Sequence, residues 1–396
     1  MMQISPETQL FIREHSSDDV RVLALQAKKY PDIDIPTAIT QIAGRKVAAE
    51  KIPSWWEIEK IWYPKHLSLE QCSSEITARY KARLLQGDSL TDLTGGFGID
   101  CSFLATGFKS ATYVERQEEL CEIAAHNFPV LNLNHINIKN EDGVTYLQAM
   151  SPVDCLFLDP ARRNEHGGKT VAISDCEPNV AELEELLLQK ANRVMIKLSP
   201  MLDLSLALKE LKQTQEVHIL SVNNECKELL ILLGQTSPTE ISIHCVNLST
   251  KGTQEEQHFV FTREQEQCSE CTYTDSLETY LYEPNASLLK AGAFRSIAAA
   301  YPVRKLHPNS HLYTSDTFIE NFPGRIFRIV NQCSFNKKEV KENLADLKKA
   351  NVTVRNFPAT VAELRKRLHL TEGGDTYLFA STLNNGQKVI IRCEKV

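Results

Sequence analysis

Between residues 89 and 235, short β-branched or apolar runs alternate with stretches of helical spacing. This alternation restricts the fold more than any other feature of the chain. The runs fall at 90–93, 111–114, 136–138, 154–158, 193–198, 217–222 and 229–233. Helical segments separate the first six, which predicts repeated strand–helix–strand units and a parallel sheet with right-handed crossovers. Only 223–228 joins the last two runs. A link that short suits a hairpin rather than a crossover, so the seventh strand is expected to run antiparallel. The fold class is therefore α/β: a Rossmann-like seven-stranded sheet with an antiparallel last strand, a helical N-terminal region and a small α+β C-terminal domain.

The flanking regions read differently. Residues 1–85 are expected to be helical. The stretch 35–51 has helical spacing, Pro53-Ser54-Trp55-Trp56 breaks it, and Ser68-Leu69-Glu70-Gln71 matches a capping box. A helix through Leu85, closed by Gly87-Asp88, should follow. The sheet domain spans 86–262, with an extra hairpin over 241–262; 263–281 is polar and acidic and reads as a linker; 282–396 forms the C-terminal domain. There, 326–330 and 352–354 read as strands, 337–349 and 362–370 as helices, and 375–378 and 389–392 as strands split by the turn Asn384-Asn385-Gly386.

Charge separates the two ends. The formal net charge is −7, but 324–396 holds 14 Lys plus Arg against 7 Asp plus Glu, a balance of +7 that leaves −14 for the rest. A basic tail on an acidic body points to a polyanion as the partner of the tail. The eleven cysteines are scattered and odd in number, which excludes a disulfide framework and implies reduced thiols in the cytoplasm. The first residues lack the charged and apolar regions of a signal peptide, and no apolar run reaches membrane-spanning length. No membrane contact is expected. Cys268-Ser269-Glu270-Cys271 is a lone CxxC, a zinc site needs two more ligands, and His258 has no partner at zinc spacing along the chain. No metal is expected.

The stretch most informative about chemistry is Asp92-Leu93-Thr94-Gly95-Gly96-Phe97-Gly98, between a predicted strand and a predicted helix. Thr94, Gly95, Gly96 and Gly98 shape a turn that lets a ligand approach the backbone. Asp92 selects the ligand. A carboxylate there would repel the pyrophosphate of a dinucleotide, but it suits the ammonium group of S-adenosylmethionine. Glu115 ends the second strand, where a carboxylate can accept both ribose hydroxyls of an adenosine, and Arg116 follows it. Asp142, after the third strand, is placed to meet the adenine edge. Ligands of such sheets bind at the carboxyl ends of the strands, where all three acids fall.

With these residues in view, 89–235 resembles the class I S-adenosylmethionine-dependent methyltransferases. Asp92–Gly98 stands at their D-x-G-x-G-x-G loop, with Thr94 in place of the first glycine. The whole chain is similar to a narrower group of methyltransferases with a C-terminal THUMP-like domain. The motifs that carry this are DLTGGFG (92–98), YVERQ (113–117), LDPARR (158–163), KLSPMLD (197–203), NNECKELL (223–230) and YEPNASLLKAG (282–292). The resemblance implies the seven-stranded methyltransferase sheet, S-adenosylmethionine as cofactor, and RNA as the partner of the basic C-terminal domain.

The reacting end follows from the fourth-strand motif. Asp159 and Pro160 stand where the superfamily faces the methyl group and its acceptor, but Ala161 and Arg162 replace the proline and aromatic usual in base-amine methylation. Ser199 stands where pyrimidine C5 enzymes carry the cysteine nucleophile. Arg162 and Arg163 are candidates for phosphate contact, or for ion pairs with Asp175 or Glu177. Lys81, Asp159, Lys197 and either Glu225 or Glu228 would form a set that looks like the tetrad of ribose 2′-O-methyltransferases. The acceptor atom stays open between ribose oxygen and base nitrogen. Two other readings stand beside the methyltransferase: an RNA-binding protein that keeps the pocket without catalysis, and a nicotinamide-dependent oxidoreductase.

Overall fold

The computed structural model of the chain describes residues 4–162, 172–236, 238–250 and 256–396. Two compact units divide it: residues 1–215 with 230–239, and 216–229 with 240–396.

The first unit opens with helices α1 (Pro6–Glu14), α2 (Val20–Leu25), α3 (Ile35–Lys51), α4 (Pro53–Trp56), α5 (His66–Gln71) and α6 (Glu75–Ala82). Asp34 caps α3 by accepting the Thr37 N–H at 3.2 Å, and Ile35, Ala38, Ile42 and Ala48 form its buried face. The sequence predicted one helix from Ser68 to Leu85; two are found. Lys51 Nζ donates to the Leu69 and Glu70 carbonyls at 2.9 and 2.6 Å, so the carbonyls that would continue α5 are taken. The chain then turns through Ser74 in an extended conformation (φ −78°, ψ 156°) before α6. That break frees the Ser73 hydroxyl for the site described below.

The sheet strands are β1 (Ser89–Asp92), β2 (Ser110–Glu115), β3 (Ile136–Asn140), β4 (Val153–Leu158), β5 (Ala191–Leu198), β6 (Thr214–Val222), β7 (Glu225–Gly234), β8 (Ser242–Leu248) and β9 (Gln257–Thr262). They form one sheet in the order β9-β8-β6-β7-β5-β4-β1-β2-β3. The five strands β1 to β5 pair in parallel. Helices α7 (Ile99–Ala105), α8 (Glu118–Val130), α9 (Gly143–Ala149), α10 (Val180–Lys190) and α11 (Leu204–Glu210) make the crossovers. This is the predicted α/β architecture, with two further strands. The antiparallel turn is a two-residue hairpin: Asn223 (φ 51°) and Asn224 (φ 66°) both hold the positive φ that a type I′ turn needs. Residues 229–233 are all fully buried, as a continuous apolar run in an interior strand requires. The predicted hairpin over 241–262 is present as the antiparallel pair β8–β9, and β8 lies parallel to β6.

In the second unit, the polar stretch read as a linker contains helix α12 (Arg263–Cys268). Its Glu266 side chain accepts the N–H groups of Phe294, Arg295 and Ser296. Strands β10 (Tyr280–Pro284), β11 (Arg304–Lys305), β12 (Tyr313–Ser315), β13 (Gly324–Ser334), β14 (Asn351–Val354), β15 (Thr376–Thr382) and β16 (Lys388–Lys395) form a second sheet, ordered β11-β12-β10-β13-β16-β15-β14. The short strands β11 and β12 had no sequence signal. Glu283 of the YEPNAS motif is buried and pairs with Arg325 and Arg355, while Asn285 caps α13 (Ala286–Ala291) through the Leu288 N–H at 3.2 Å. After α14 (Ser296–Ala300) come α15 (Lys337–Leu344) and α16 (Val361–Leu368), both shorter than predicted. α16 ends where His369 turns left-handed (φ 56°).

Candidate active site

The glycine loop sits between β1 and α7. Gly96 (φ 55°) and Gly98 (φ 89°) hold backbone conformations that other residues rarely adopt, and Gly98 is the N-cap of α7. Gly95 is required for a different reason: a Cβ there would lie 2.2 Å from the Tyr113 ring. Phe97 is buried against Trp55, ring centroids 5.2 Å apart, and packs with Tyr63, so the N-terminal helices hold the loop from behind. Thus Trp55 and Tyr63 are core residues.

Asp92 ends β1 and is 1% exposed. Its Oδ1 accepts the Thr94 N–H at 2.9 Å, whereas its buried Oδ2 has no hydrogen-bond partner. Burial, with the negative charges of Asp100, Asp159 and Glu115 nearby, pushes the carboxyl up to about 8. A buried carboxylate oxygen without a donor is costly unless a cation meets it. Glu115 ends β2; its Oε2 accepts the Gly96 N–H at 2.9 Å and its Oε1 the Gln117 N–H at 2.8 Å. Each carboxylate oxygen keeps room for a second donor.

The other predicted cofactor residues are placed less tightly. Asp142 is exposed and caps α9, its Oδ1 accepting the Val144 and Thr145 N–H groups at 3.0 Å. Arg116 reaches Glu177 at 3.5 Å, both side chains being more than half exposed. Thr94 is tied to the reacting end, because the Asp159 N–H donates to its Oγ1 at 2.6 Å. Pro160 is buried and Ala161 exposed directly after β4. Ala161–Arg162 pairs with Cys176–Glu177 in a small antiparallel ribbon. The Arg162 side chain and Arg163 lie outside the described residues.

At the reacting end Lys197 Nζ lies 2.5 Å from Asp159 Oδ2. The same ammonium reaches Ser73 Oγ at 3.1 Å and Asp100 Oδ2 at 3.4 Å. Lys81, wholly buried on α6, contacts Ser73 Oγ at 2.7 Å and Asp100 Oδ1 at 2.8 Å. Two lysines and two aspartates therefore share one cluster, of which Lys81, Lys197 and Asp100 are buried. Burial raises the Asp100 carboxyl, but Lys81 and Lys197 outweigh it and bring the group down to about 2. Asp159 goes the other way: its enclosure raises it above the usual carboxylate range, and the Lys197 charge offsets this only in part. Its side chain is 37% exposed while that of Lys197 is 10% exposed, so Asp159 is the member that faces open space.

The expected set of Lys81, Asp159 and Lys197 is thus brought together, through Ser73 and through Asp100, which sequence reasoning missed. Asp100 lies in the first turn of α7, just past the glycine loop, and that place was the available signal. Glu225 and Glu228 belong to the second unit; Glu228 is 6% exposed and Glu225 is exposed. His258 has no histidine at zinc spacing along the chain, but the antiparallel pairing of β8 with β9 brings its Nε2 to 3.1 Å from His244 Nδ1.

Residues 280–323 match a ferredoxin-like domain family and 324–395 a THUMP domain-like family. Over 100% of both chains, the protein is similar to a "putative methyltransferase" from Porphyromonas gingivalis W83, at 33% identity and a TM-score of 0.87. It is also similar to a methyltransferase-type protein from Streptococcus mutans in complex with S-adenosylhomocysteine, at 13% identity and a TM-score of 0.30, covering 40% of this chain and 96% of that one. An rRNA methylase from Streptococcus thermophilus matches at 14% identity and a TM-score of 0.29, covering 40% and 93%. At those scores only the first likeness bears on the reading. No curated protein matches the chain.

Proposed function

Because the chain belongs to the class I methyltransferase group that carries a C-terminal THUMP-like domain, we propose that it transfers a methyl group from S-adenosylmethionine to RNA, with a ribose hydroxyl as acceptor. The observation that carries the cofactor reading is the buried Asp92 Oδ2 without a donor. An ammonium group satisfies it; a pyrophosphate would be repelled, which disfavours the nicotinamide reading. Gly95, Gly96 and Gly98 give the loop its close approach, Glu115 suits the ribose hydroxyls, and Arg116 and Asp142 border the same rim. When bound, S-adenosylmethionine supplies a methyl group already activated on a sulfonium.

The chain's own residues then have positioning and proton transfer to supply. Asp159, more exposed than Lys197 and with a raised pKa, suits the task of taking the acceptor's proton. Lys197 holds that carboxylate at 2.5 Å and offers a positive charge to the developing oxyanion. Asp100 and Lys81 act through Lys197 and fix its place. Pro160 stiffens the turn that carries Asp159. Arg162 stands where base-amine methylation would need a stacking ring, which favours a hydroxyl over an exocyclic amine.

RNA as substrate rests on the THUMP domain-like match and on the +7 balance of 324–396. Arg162 and Arg163 are proposed to contact its phosphates. Among the described residues no helix is long and apolar enough to cross a membrane, and the proposed compartment is the cytoplasm. The test is incubation of the purified chain with labelled S-adenosylmethionine and total cellular RNA, followed by mass spectrometry of nucleosides. Label in a 2′-O-methylnucleoside is expected. Calorimetric binding of S-adenosylmethionine without any label in RNA would favour an RNA-binding protein that keeps the pocket without catalysis.

A further inference from the structure

Far from the glycine loop in sequence, strands β6, β8 and β9 bring four potential ligands to one face of the sheet. His218 pairs in register with His244, and Glu216 with Ser242, so all four side chains alternate to the same side. On the neighbouring strand His258 sits opposite Val246, diagonal to His244 and on that same face. Ligand atoms of Glu216, His218 and His244 all lie within 4.8 Å of one another. Glu216 Oε2 is 3.2 Å from His218 Nε2, and His244 Nδ1 is 3.1 Å from His258 Nε2. A tetrahedral ion with nitrogen ligands at roughly 2.0–2.1 Å holds its donors about 3.4 Å apart. The two short separations, 3.1 and 3.2 Å, lie just under that figure.

We propose that His218, His244 and His258, with the Glu216 carboxylate, bind one divalent transition-metal ion, zinc by donor type, across β6, β8 and β9. Three imidazoles and one carboxylate select a borderline ion over calcium or magnesium, which take oxygen ligands. His244 is already held for the task. Its Nε2 lies 3.2 Å from Ser242 Oγ, which helps to orient the ring, and its Nδ1 faces His258 Nε2. At His218 the ion replaces the hydrogen between Nε2 and Glu216, and the ring proton moves to Nδ1. The His218 ring is buried and stacks on His244 with centroids 4.3 Å apart, whereas His258 is exposed on the edge strand β9. An ion bound there pins an edge strand whose register otherwise rests on one ladder. The sequence could not show this, because 13 residues part His244 and His258 and 25 part His218 and His244.

The experiment uses the full chain, stripped with a chelator and titrated with Co²⁺ and then Zn²⁺. One equivalent of Co²⁺ should give visible ligand-field absorption without a thiolate charge-transfer band, and Zn²⁺ should displace it and raise the melting temperature. His258→Asn, on an exposed position, should weaken binding about 10- to 100-fold with the fold intact, and His244→Gln should abolish it. Cys268→Ser with Cys271→Ser should leave binding unchanged. Absence of saturable binding, binding by His244→Gln and His258→Asn equal to the starting chain, or loss of binding in the double cysteine variant would each overturn the proposal.

Discussion

Replacing Asp92 with asparagine separates the requirements of the site from those of the fold. The folded chain holds this carboxyl at about 8, against 3.8 for the unperturbed group. Between those values the folded chain keeps a proton that the unfolded chain has lost. Stability therefore falls as pH rises from about 4 to 8, by up to about 1.4 kcal/mol per pH unit. At pH 7 the interval is about three units, or on the order of 4 kcal/mol. An asparagine side chain would not titrate, but it would leave an amide group in the same buried position, at a cost of about 1–3 kcal/mol. Asp92→Asn should therefore be more stable than the starting chain by about 1–3 kcal/mol at pH 7 and by somewhat more at pH 8, with the difference vanishing near pH 5. At about 2–4 °C per kcal/mol the melting temperature rises several degrees at pH 8. Binding of S-adenosylmethionine should weaken about 10- to 100-fold, since a charge-assisted hydrogen bond is lost. Thermal melts at pH 5, 6, 7 and 8 and calorimetry on both chains provide the readouts. A melting difference that does not change with pH, or an unchanged affinity in the variant, refutes the reasoning.

Three further outcomes follow from the same geometry. Binding of S-adenosylmethionine at pH 7 should release about one proton from Asp92, seen as a calorimetric enthalpy that scales with buffer ionisation enthalpy. Asp100→Asn should lower stability by about 3–5 kcal/mol at pH 7, because Lys81 is left buried without its carboxylate; the Asp100 contribution is present above about pH 4 and lost as pH falls toward about 2, so melts at pH 3 should show a smaller gap. Gly95→Ala, whose Cβ would meet the Tyr113 ring at 2.2 Å, should displace the loop, costing about 1–3 kcal/mol and removing cofactor binding in an equilibrium assay.

The sequence by itself determined the strand order of chemistry along the chain. Seven apolar runs with helical spacers dictate a parallel sheet, and the two asparagines between Val222 and Glu225 dictate its antiparallel end, because periodicity and turn conformation are local properties. Asp92, Glu115 and Asp159 were legible for the same reason: each follows or ends a strand, and strand ends define the rim. What the sequence could not decide was partnership. Ser73, Lys81, Asp100 and Lys197 lie up to 124 residues apart and meet only when α6, α7 and β5 pack together. Whether Asp142 serves as a cap or faces a ligand, and whether histidines on β6, β8 and β9 share a face, depends on helix capping and strand register, which tertiary packing sets. The same packing buries Asp92 at the end of β1 and leaves its Oδ2 without a donor, which the sequence alone did not show.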